Sequence, residues 1–187
     1  MPDLISPAGG DIGLQRRSDG TYASLVTGGS YRTTATITRP SDTTAYAAGD
    51  VVGDTGGSAI VTLASAGPSG GFVLLQSASL VFSDSTVPGG MGAFRIHMYS
   101  ASPTAIADNA AFDLVSGERD AYMGYIDLPT PQDFGSTLYT QADYVGRLVK
   151  LAAASSSLFA EIETRGAYTP VSASTVSLRI NTLEAGL

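Results

Sequence analysis

Short stretches in which apolar and polar residues alternate recur along most of the chain, and clusters of Gly, Pro, Asp and Ser separate them. In Phe94–Tyr99 the first, third and fifth residues are apolar, and Val176, Leu178 and Ile180 repeat this pattern. An alternation of period two is typical of a strand with one buried and one exposed face. We therefore expect the other three residues of Phe94–Tyr99 to face outward, which places His97 on the exposed side.

These stretches predict eight or nine strands, while no apolar stripe with the helical period of 3.6 continues beyond about ten residues. Strands of this number between turn clusters indicate an all-β chain, an antiparallel β-sandwich of jelly-roll type. One or two helical turns are expected at 107–114 and 151–155. The predicted strands are Thr33–Thr38, Ser58–Leu63, Phe72–Phe82, Phe94–Tyr99, Tyr122–Leu128, Thr137–Thr140, Tyr144–Leu151, Leu158–Thr164 and Thr175–Thr182.

The turn signals also predict how the chain divides. Residues 1–32 are rich in Pro, Gly and Ser and contain Ser18-Asp19-Gly20 and Gly28-Gly29-Ser30, which are typical of turns. We expect an extended N-terminal arm at 1–32 and a single β-sandwich domain at 33–187. A chain of 187 residues is long enough for one domain with a substantial core.

Composition excludes several functional classes. The chain has no cysteine, so it forms no disulfide and offers no thiolate to a metal. Its net charge is -7, Lys150 is the only lysine, and Arg16-Arg17 is the only adjacent basic pair. Because binding to a phosphate backbone needs clustered cations, we expect no nucleic-acid partner.

The long uncharged stretch 55–83 is the one candidate for a membrane span, but Gly67–Gly71 interrupts it and Ser, Thr and Gln dilute it. Two core strands around a turn explain this stretch better, so we expect no membrane partner. The first ten residues lack a basic segment followed by an apolar one, and therefore do not resemble a secretory signal. Synthesis in a host cytoplasm is the corresponding expectation.

A hydrolase pattern occurs in the chain, although its context is unfavourable. Gly67-Pro68-Ser69-Gly70-Gly71 fits Gly-x-Ser-x-Gly, and Asp84 and His97 follow Ser69 in the order of an α/β-hydrolase triad. A nucleophile elbow needs a strand before the serine and a helix after it, whereas Phe72 begins a predicted strand. We expect a hairpin loop at Ser69 and no catalytic role.

The remaining candidates for catalysis are one histidine and one pair of glutamates. His97 is the only histidine, and we expect it to be an exposed or half-exposed polar residue rather than a base. Glu161 and Glu163 share one face of a predicted strand, with Cα atoms about 7 Å apart, within reach of a glycosidic bond. Arg165 follows them, so a solvated and charge-paired face is the expected arrangement.

Several carboxylates offer oxygen ligands without the spacing of a calcium loop. They are Asp108 with Asn109 and Asp113, and Asp50 with Asp54. We expect these side chains to form turns, with Asp108 capping a short helical turn that runs to Leu114. No metal site and no cofactor is predicted.

Two longer segments carry a resemblance to a known group of proteins. Thr38–Gly53 and Ser102–Leu114 resemble segments of the capsid cement or decoration proteins of tailed bacteriophages, such as those of podophage heads. The resemblance continues through Tyr122–Leu128 and ends near Gly166–Pro170. It implies a jelly-roll type of sandwich and a structural role without catalysis. It also implies that the protein is a homodimer or homotrimer on the outer surface of the virion, where it bridges major capsid subunits.

Two further hypotheses stay open beside this one. A virion-surface sandwich could recognise host glycans, using Tyr99 or Tyr168 as stacking platforms. An enzyme would instead need a pocket that holds His97 or the two glutamates with a perturbed pKa. If the protein binds a capsid, we expect the arm, roughly Pro2–Ser30, to make part of the contact.

Overall fold

The computed structural model describes the backbone at residues 14–16 and 22–24 and the full chain at residues 29–185. Within these ranges the regular structure is β-strand, apart from one 3-10 turn at Ser116–Glu118. The strands are β1 (Leu14–Arg16), β2 (Tyr22–Ser24), β3 (Ser30–Thr38), β4 (Val51–Val52), β5 (Val61–Leu63), β6 (Phe72–Phe82), β7 (Phe94–Tyr99), β8 (Tyr122–Leu128), β9 (Gln132–Asp133), β10 (Leu138–Ala142), β11 (Arg147–Lys150), β12 (Leu158–Thr164) and β13 (Thr175–Ala185).

Two antiparallel sheets pack face to face, which confirms the predicted all-β sandwich. The six-stranded sheet has the order β3-β13-β6-β10-β9, and β11 pairs with the first half of β6 where β10 pairs with the second. The five-stranded sheet has the order β4-β12-β7-β8, with β5 beside β4 along β12. The jelly-roll type of this sandwich stays a prediction.

The core lies between the two sheets and is made by alternate residues of their strands. Leu178 of β13 and Leu80 of β6 are direct cross-strand partners and are both fully buried. From the other sheet, Ile96 of β7 and Ile162 of β12 form the equivalent buried pair. Cross-strand pairs of this kind are the units that stabilise a sheet and fill its core.

Sequence pattern located the long strands well and missed the shortest ones. Four strands, β6, β7, β8 and β12, have the predicted bounds, because each is a long apolar or alternating run between turn residues. Val51–Val52 and Gln132–Asp133 were not predicted, since two residues are too few to show an alternation. The ends differ at five other strands: β3 begins at Ser30, β13 continues to Ala185, and β5, β10 and β11 are Val61–Leu63, Leu138–Ala142 and Arg147–Lys150. The helical turns expected at 107–114 and 151–155 are wrong, because the chain forms only non-helical turns and extended segments there.

The predicted arm at 1–32 lies largely outside the described residues. Where its backbone is described, β1 and β2 form an antiparallel pair, and residues 30–32 belong to β3. The division into an arm and a domain at 33–187 stays a prediction. Across the described ranges, no helix has the length and apolar character needed to cross a membrane.

Replacing Leu178 by Ala should lower the free energy of unfolding by about 2–5 kcal/mol, because it leaves a cavity between the sheets. Urea unfolding followed by circular dichroism measures this loss. Leu183→Ala is the matched control on the same strand, where the side chain is 39% exposed and the expected loss is below about 1 kcal/mol. Equal losses for the two variants would contradict this location of the core.

Candidate functional site

The first polar cluster, which we call the His97 cluster, lies on the outer side of the five-stranded sheet. His97 Nε2 is 2.8 Å from Glu163 Oε2, and His97 Nδ1 is 2.9 Å from the Tyr122 hydroxyl. Arg165 donates from Nη1 to the other oxygen of Glu163 at 2.6 Å. Tyr99 and Glu161 complete the cluster, with the Tyr99 hydroxyl donating to Glu161 Oε2 at 3.1 Å. Both ring nitrogens of the histidine are therefore engaged.

A covering segment, residues 100–121 between β7 and β8, closes over this cluster. Its Phe112 ring stacks on the His97 ring, with centroids 3.5 Å apart and the planes inclined by 10°. His97 is consequently only 3% exposed, and Tyr99 is fully buried. The expectation that His97 is exposed is wrong. The alternation correctly identified the side that points away from the core, but a second layer of chain covers that side.

The electrostatics of His97 follow from this enclosure. Burial lowers the pKa of His97, because the charged imidazolium loses its solvation, while the hydrogen bond with Glu163 acts in the opposite direction. The imidazole is therefore neutral at pH 7. A neutral ring whose two nitrogens are already hydrogen-bonded serves to hold strands β7, β8 and β12 to one another.

Glu161 is the least satisfied member of the His97 cluster. Its side chain belongs to a residue that is 1% exposed, and its Oε1 atom is buried without a hydrogen-bond partner among the described residues. The pKa of Glu161 is raised to about 7, and burial is the main cause. The hydrogen bond from Tyr99 and the nearby backbone of Ile106 oppose the shift, while the charge of Glu118 contributes to it. The predicted solvated face is wrong for Glu161 and Glu163, although the predicted pairing with Arg165 is observed for Glu163.

The second polar cluster, which we call the Asp108 clasp, joins two segments that are distant in sequence. Asp108 Oδ2 is 3.2 Å from Arg39 Nη2, and its Oδ1 accepts hydrogen bonds from the Tyr46 hydroxyl at 2.6 Å and the Gly53 amide at 2.8 Å. The Arg39 guanidinium is 1% exposed and also donates to the Tyr46 hydroxyl. Asp108 therefore does not cap a helical turn, as predicted, but neutralises a buried cation.

Backbone contacts extend the clasp along both segments. Val51 donates to Ala110 O, and Phe112 donates to Gly49 O, so that 49–51 and 109–112 run side by side. Gly53 lies so close to Asp108 that a Cβ atom on it would be 2.9 Å from the Asp108 backbone. This contact is too short for a side chain, so only glycine fits at this position. The segments Thr38–Gly53 and Ser102–Leu114 thus form one structural unit.

Two of the other predicted turn carboxylates, Asp54 and Asp50, accept hydrogen bonds from nearby backbone amides. Asp54 Oδ1 accepts hydrogen bonds from the amides of Gly56 and Ser58, which confirms a turn at this position. Asp50 Oδ2 accepts from the Ala47 amide at 2.6 Å. Among the residues that the structure describes, no three His, Cys, Asp or Glu side chains converge in a way that could hold a metal ion.

The Ser69, Asp84 and His97 residues do not form a triad. Ser69 lies in the turn before β6 and Asp84 follows the end of β6, so that a strand of roughly 33 Å separates them. Asp84 is buried, and burial raises its pKa while a hydrogen bond with Ser174 opposes the shift. The strand that begins at Phe72 confirms the predicted absence of an elbow helix.

The tyrosines proposed as glycan platforms are in the interior. Tyr99 is fully buried in the His97 cluster, and Tyr168 packs in the core against Tyr46 and Phe94 with ring centroids 5.3 and 6.3 Å apart. Neither ring can stack on a ligand without opening the fold. The prediction that these two tyrosines form an exposed platform is wrong.

An exposed apolar row lies on the outer face of the six-stranded sheet. Leu183 of β13, Leu74 of β6 and Leu148 of β11 are direct cross-strand partners, and we call them the leucine row. Leu148 is 51% exposed and Leu74 is half-buried. Sequence analysis missed this row, although the unbroken apolar run Phe72–Leu75 is a signal that both faces of β6 are apolar.

At the other end of the same face, two aromatic rings border a shallow pocket of about 240 Å³. Phe134 is 67% exposed and packs edge-on against Tyr139 at a centroid distance of 6.3 Å. Gln132 and Gln141 supply amide groups to the same pocket, and Gln141 accepts a hydrogen bond from the Tyr139 hydroxyl.

The described residues thus define a β-sandwich with two internal polar clusters and an apolar row on an exposed sheet face. No protein-family model matches the chain, and no curated protein matches it.

Replacing Asp108 by Ala should lower the free energy of unfolding by about 3–5 kcal/mol, because it leaves the buried Arg39 guanidinium with only the half-exposed Asp42 carboxylate, at 3.9 Å, as counter-charge. The control is Asp127→Ala, which breaks the exposed pair between Asp127 and Arg95 at 2.7 Å. An exposed pair contributes only about 0–1 kcal/mol. Chemical denaturation of both variants checks the contrast, and a small loss for Asp108→Ala would contradict the role of the clasp.

Glu161 should make stability depend on pH. Because its pKa is raised from 4.5 to about 7, the folded state binds this proton more tightly than the unfolded state. The associated stability is present below pH 4.5 and is lost as the pH rises to about 7. The difference in unfolding free energy, Glu161→Gln minus wild type, should therefore increase by about 3 kcal/mol across this window.

Urea titrations at several pH values measure this difference. Ile162→Val is the control, since it alters a buried residue of the same strand and removes no titratable group. Its difference from the wild type should not vary with pH. A constant difference for Glu161→Gln as well would contradict the assignment.

Proposed function

We propose that the protein is a structural virion protein that decorates and stabilises the outer surface of a tailed-phage capsid by bridging major capsid subunits. The observation that carries this proposal is the leucine row, Leu183, Leu74 and Leu148, on the outer face of the six-stranded sheet. A single row of exposed apolar side chains gains free energy when a partner surface removes it from water. A jelly-roll type of sandwich and a location on the outside of the virion belong to the same proposal.

The part of this face that lies away from the leucine row also suits a contact surface. The cross-strand partners Thr36, Ser177, Val81 and Tyr139 continue across four strands with short or aromatic side chains. Interfaces favour tyrosine and avoid lysine and acidic residues at their centres. A standard interface covers about 800 Å² on each partner, more than three leucines supply, so the neighbouring rows would belong to the contact.

The two internal clusters support a role that depends on shape. The Asp108 clasp holds a long connection in place through a buried ion pair, and the stacking of Phe112 on His97 fixes the same connection over the His97 cluster. A protein that repeats many times on a shell gains its overall affinity from many copies of the same weak contact, which requires a surface of constant shape. The proposal needs no catalytic residue and no cofactor. It keeps the arm, Pro2–Ser30, as an additional predicted capsid contact.

Co-sedimentation of the purified protein with expanded capsids that lack it tests the proposal, with immature procapsids alongside. We expect saturable binding to expanded capsids by the wild type. Leu148→Glu places a charge in the leucine row and should weaken the binding by at least about tenfold. Val171→Glu is the matched control, because Val171 is similarly exposed, at 48%, in a loop before β13.

Two results would overturn the proposal. One is the absence of wild-type binding to any capsid form, and the other is equal binding of the two glutamate variants and the wild type. Far-UV circular dichroism and thermal unfolding must first show that both variants are folded.

A second candidate function is the recognition of host glycans on the virion surface. The pocket beside Phe134 favours it, because an exposed aromatic ring next to amide groups is a common arrangement for stacking on a sugar and hydrogen-bonding its hydroxyls. A glycan array with the wild type and Phe134→Ala separates this function from the first. Binding that Phe134→Ala removes, together with no capsid binding, would make glycan recognition the better proposal.

A further inference from the structure

Strand β3 forms one edge of the six-stranded sheet, and its hydrogen bonds define which backbone groups face outward. The Arg39 amide donates to Ser174 O, and Gly29 O accepts a hydrogen bond from the Glu184 amide. Neighbouring residues of a strand direct their N–H and C=O groups to opposite sides. The odd-numbered residues of β3 therefore direct their backbone N–H and C=O groups towards β13. The even-numbered residues between them direct these groups outward from the edge of the sheet.

The outward groups are those of Arg32, Thr34 and Thr36. Beyond them, Thr38 O accepts a hydrogen bond from the Thr55 amide, which confirms the direction of the even-numbered residues and closes that end of the edge. In the part of the chain that the structure describes, no other strand pairs along this side of β3. A row of backbone donors and acceptors at a sheet edge is a ready template for another strand.

The other edges of the sandwich are short or blocked. Arg147 donates to the carbonyl oxygens of Met123 and Tyr125, at 2.9 and 3.0 Å, and so occupies the edge of β8. Strands β4 and β9 have two residues each, β5 has three and β11 has four. Strand β3 has nine residues and contains neither lysine nor proline, the residues that commonly protect an edge.

We propose that β3 pairs through this edge with β3 of a second copy of the chain, in antiparallel orientation and with Thr34 on the two-fold axis. Thr34 then faces Thr34 of the other copy, and Arg32 faces Thr36 on either side. No like charges oppose each other, and a Thr–Thr pair is favourable in this position. The strand is thus complementary to itself, as an isologous contact requires. This inference does not depend on the proposed function.

The arrangement has a defined consequence for the assembly. A two-fold axis between antiparallel strands stands perpendicular to the sheet, so both outer faces point to the same side. The two leucine rows would therefore lie on one continuous surface. The contact is confined to a few backbone hydrogen bonds and the adjacent side chains, so we expect a dimer that depends on concentration.

Disulfide trapping tests the register, because the chain has no native cysteine. In a hydrogen-bonded antiparallel pair the Cα atoms are about 5.5 Å apart, which lies within the range that a disulfide spans. Thr34→Cys should therefore form a covalent dimer under mild oxidation. Arg32→Cys should not, because the two Arg32 Cα atoms would be roughly 14 Å apart.

Sedimentation equilibrium tests the contact without a crosslink. The wild type should move from a mass of 19.1 kDa towards twice that value as concentration rises. Thr34→Lys places two ammonium groups at the axis and should raise the dimer dissociation constant by at least about tenfold. Thr62→Lys is the matched control, since Thr62 is exposed on β5 of the other sheet. Circular dichroism and thermal unfolding check that each variant is folded.

Three results would overturn the inference. The first is a wild type that stays monomeric, including the case in which the chain's own N-terminal segment occupies the edge. The second is equal crosslinking of Thr34→Cys and Arg32→Cys. The third is a dimer that Thr34→Lys leaves unchanged. Since no capsid is present in these experiments, their failure leaves the test of the proposed function intact.

Discussion

The ion pair between Arg39 and Asp108 is the interaction on which the arrangement of the long connections depends. A guanidinium that is almost fully buried requires a counter-charge, because its desolvation costs several kcal/mol. Asp108 supplies that charge from a segment 69 residues further along the chain. The segment that carries Asp108 is also the one that covers His97, so the position of the cover follows from the position of the clasp.

The His97 cluster shows a related compromise. Covering the outer side of β7 and β12 removes one imidazole and two carboxylates from water, and two of these groups find partners with favourable geometry. Glu161 is only partly satisfied, since its Oε2 accepts a hydrogen bond from Tyr99 while its Oε1 has no partner among the described residues. The side chains of this cluster hydrogen-bond to one another across β7, β8 and β12, beneath the segment that covers them.

Sequence reasoning succeeded where the signal was local. The bounds of β6 and β12 follow from apolar or alternating runs between turn residues, and the buried face of β13 follows from Val176, Leu178 and Ile180. Burial of His97 depends instead on a segment that folds back from the connection to β8, and no alternation along β7 can report that. The prediction that Asp108 caps a local helical turn is wrong for the same reason, because the partners of Asp108 lie far away in sequence.

The place of β13 in the six-stranded sheet has a consequence for how the protein folds during synthesis. This strand lies between β3 and β6, although both are made long before it. Until residues 175–185 have left the ribosome, β3 lacks the strand that it pairs with in this sheet, and β6 is unpaired along the side that β13 occupies. The nascent chain therefore carries unpaired strand edges, a state that favours aggregation between growing chains and the binding of chaperones. Closure of the sheet is a late event, and it depends on pairing between residues more than 130 positions apart, such as Leu178 with Ala35.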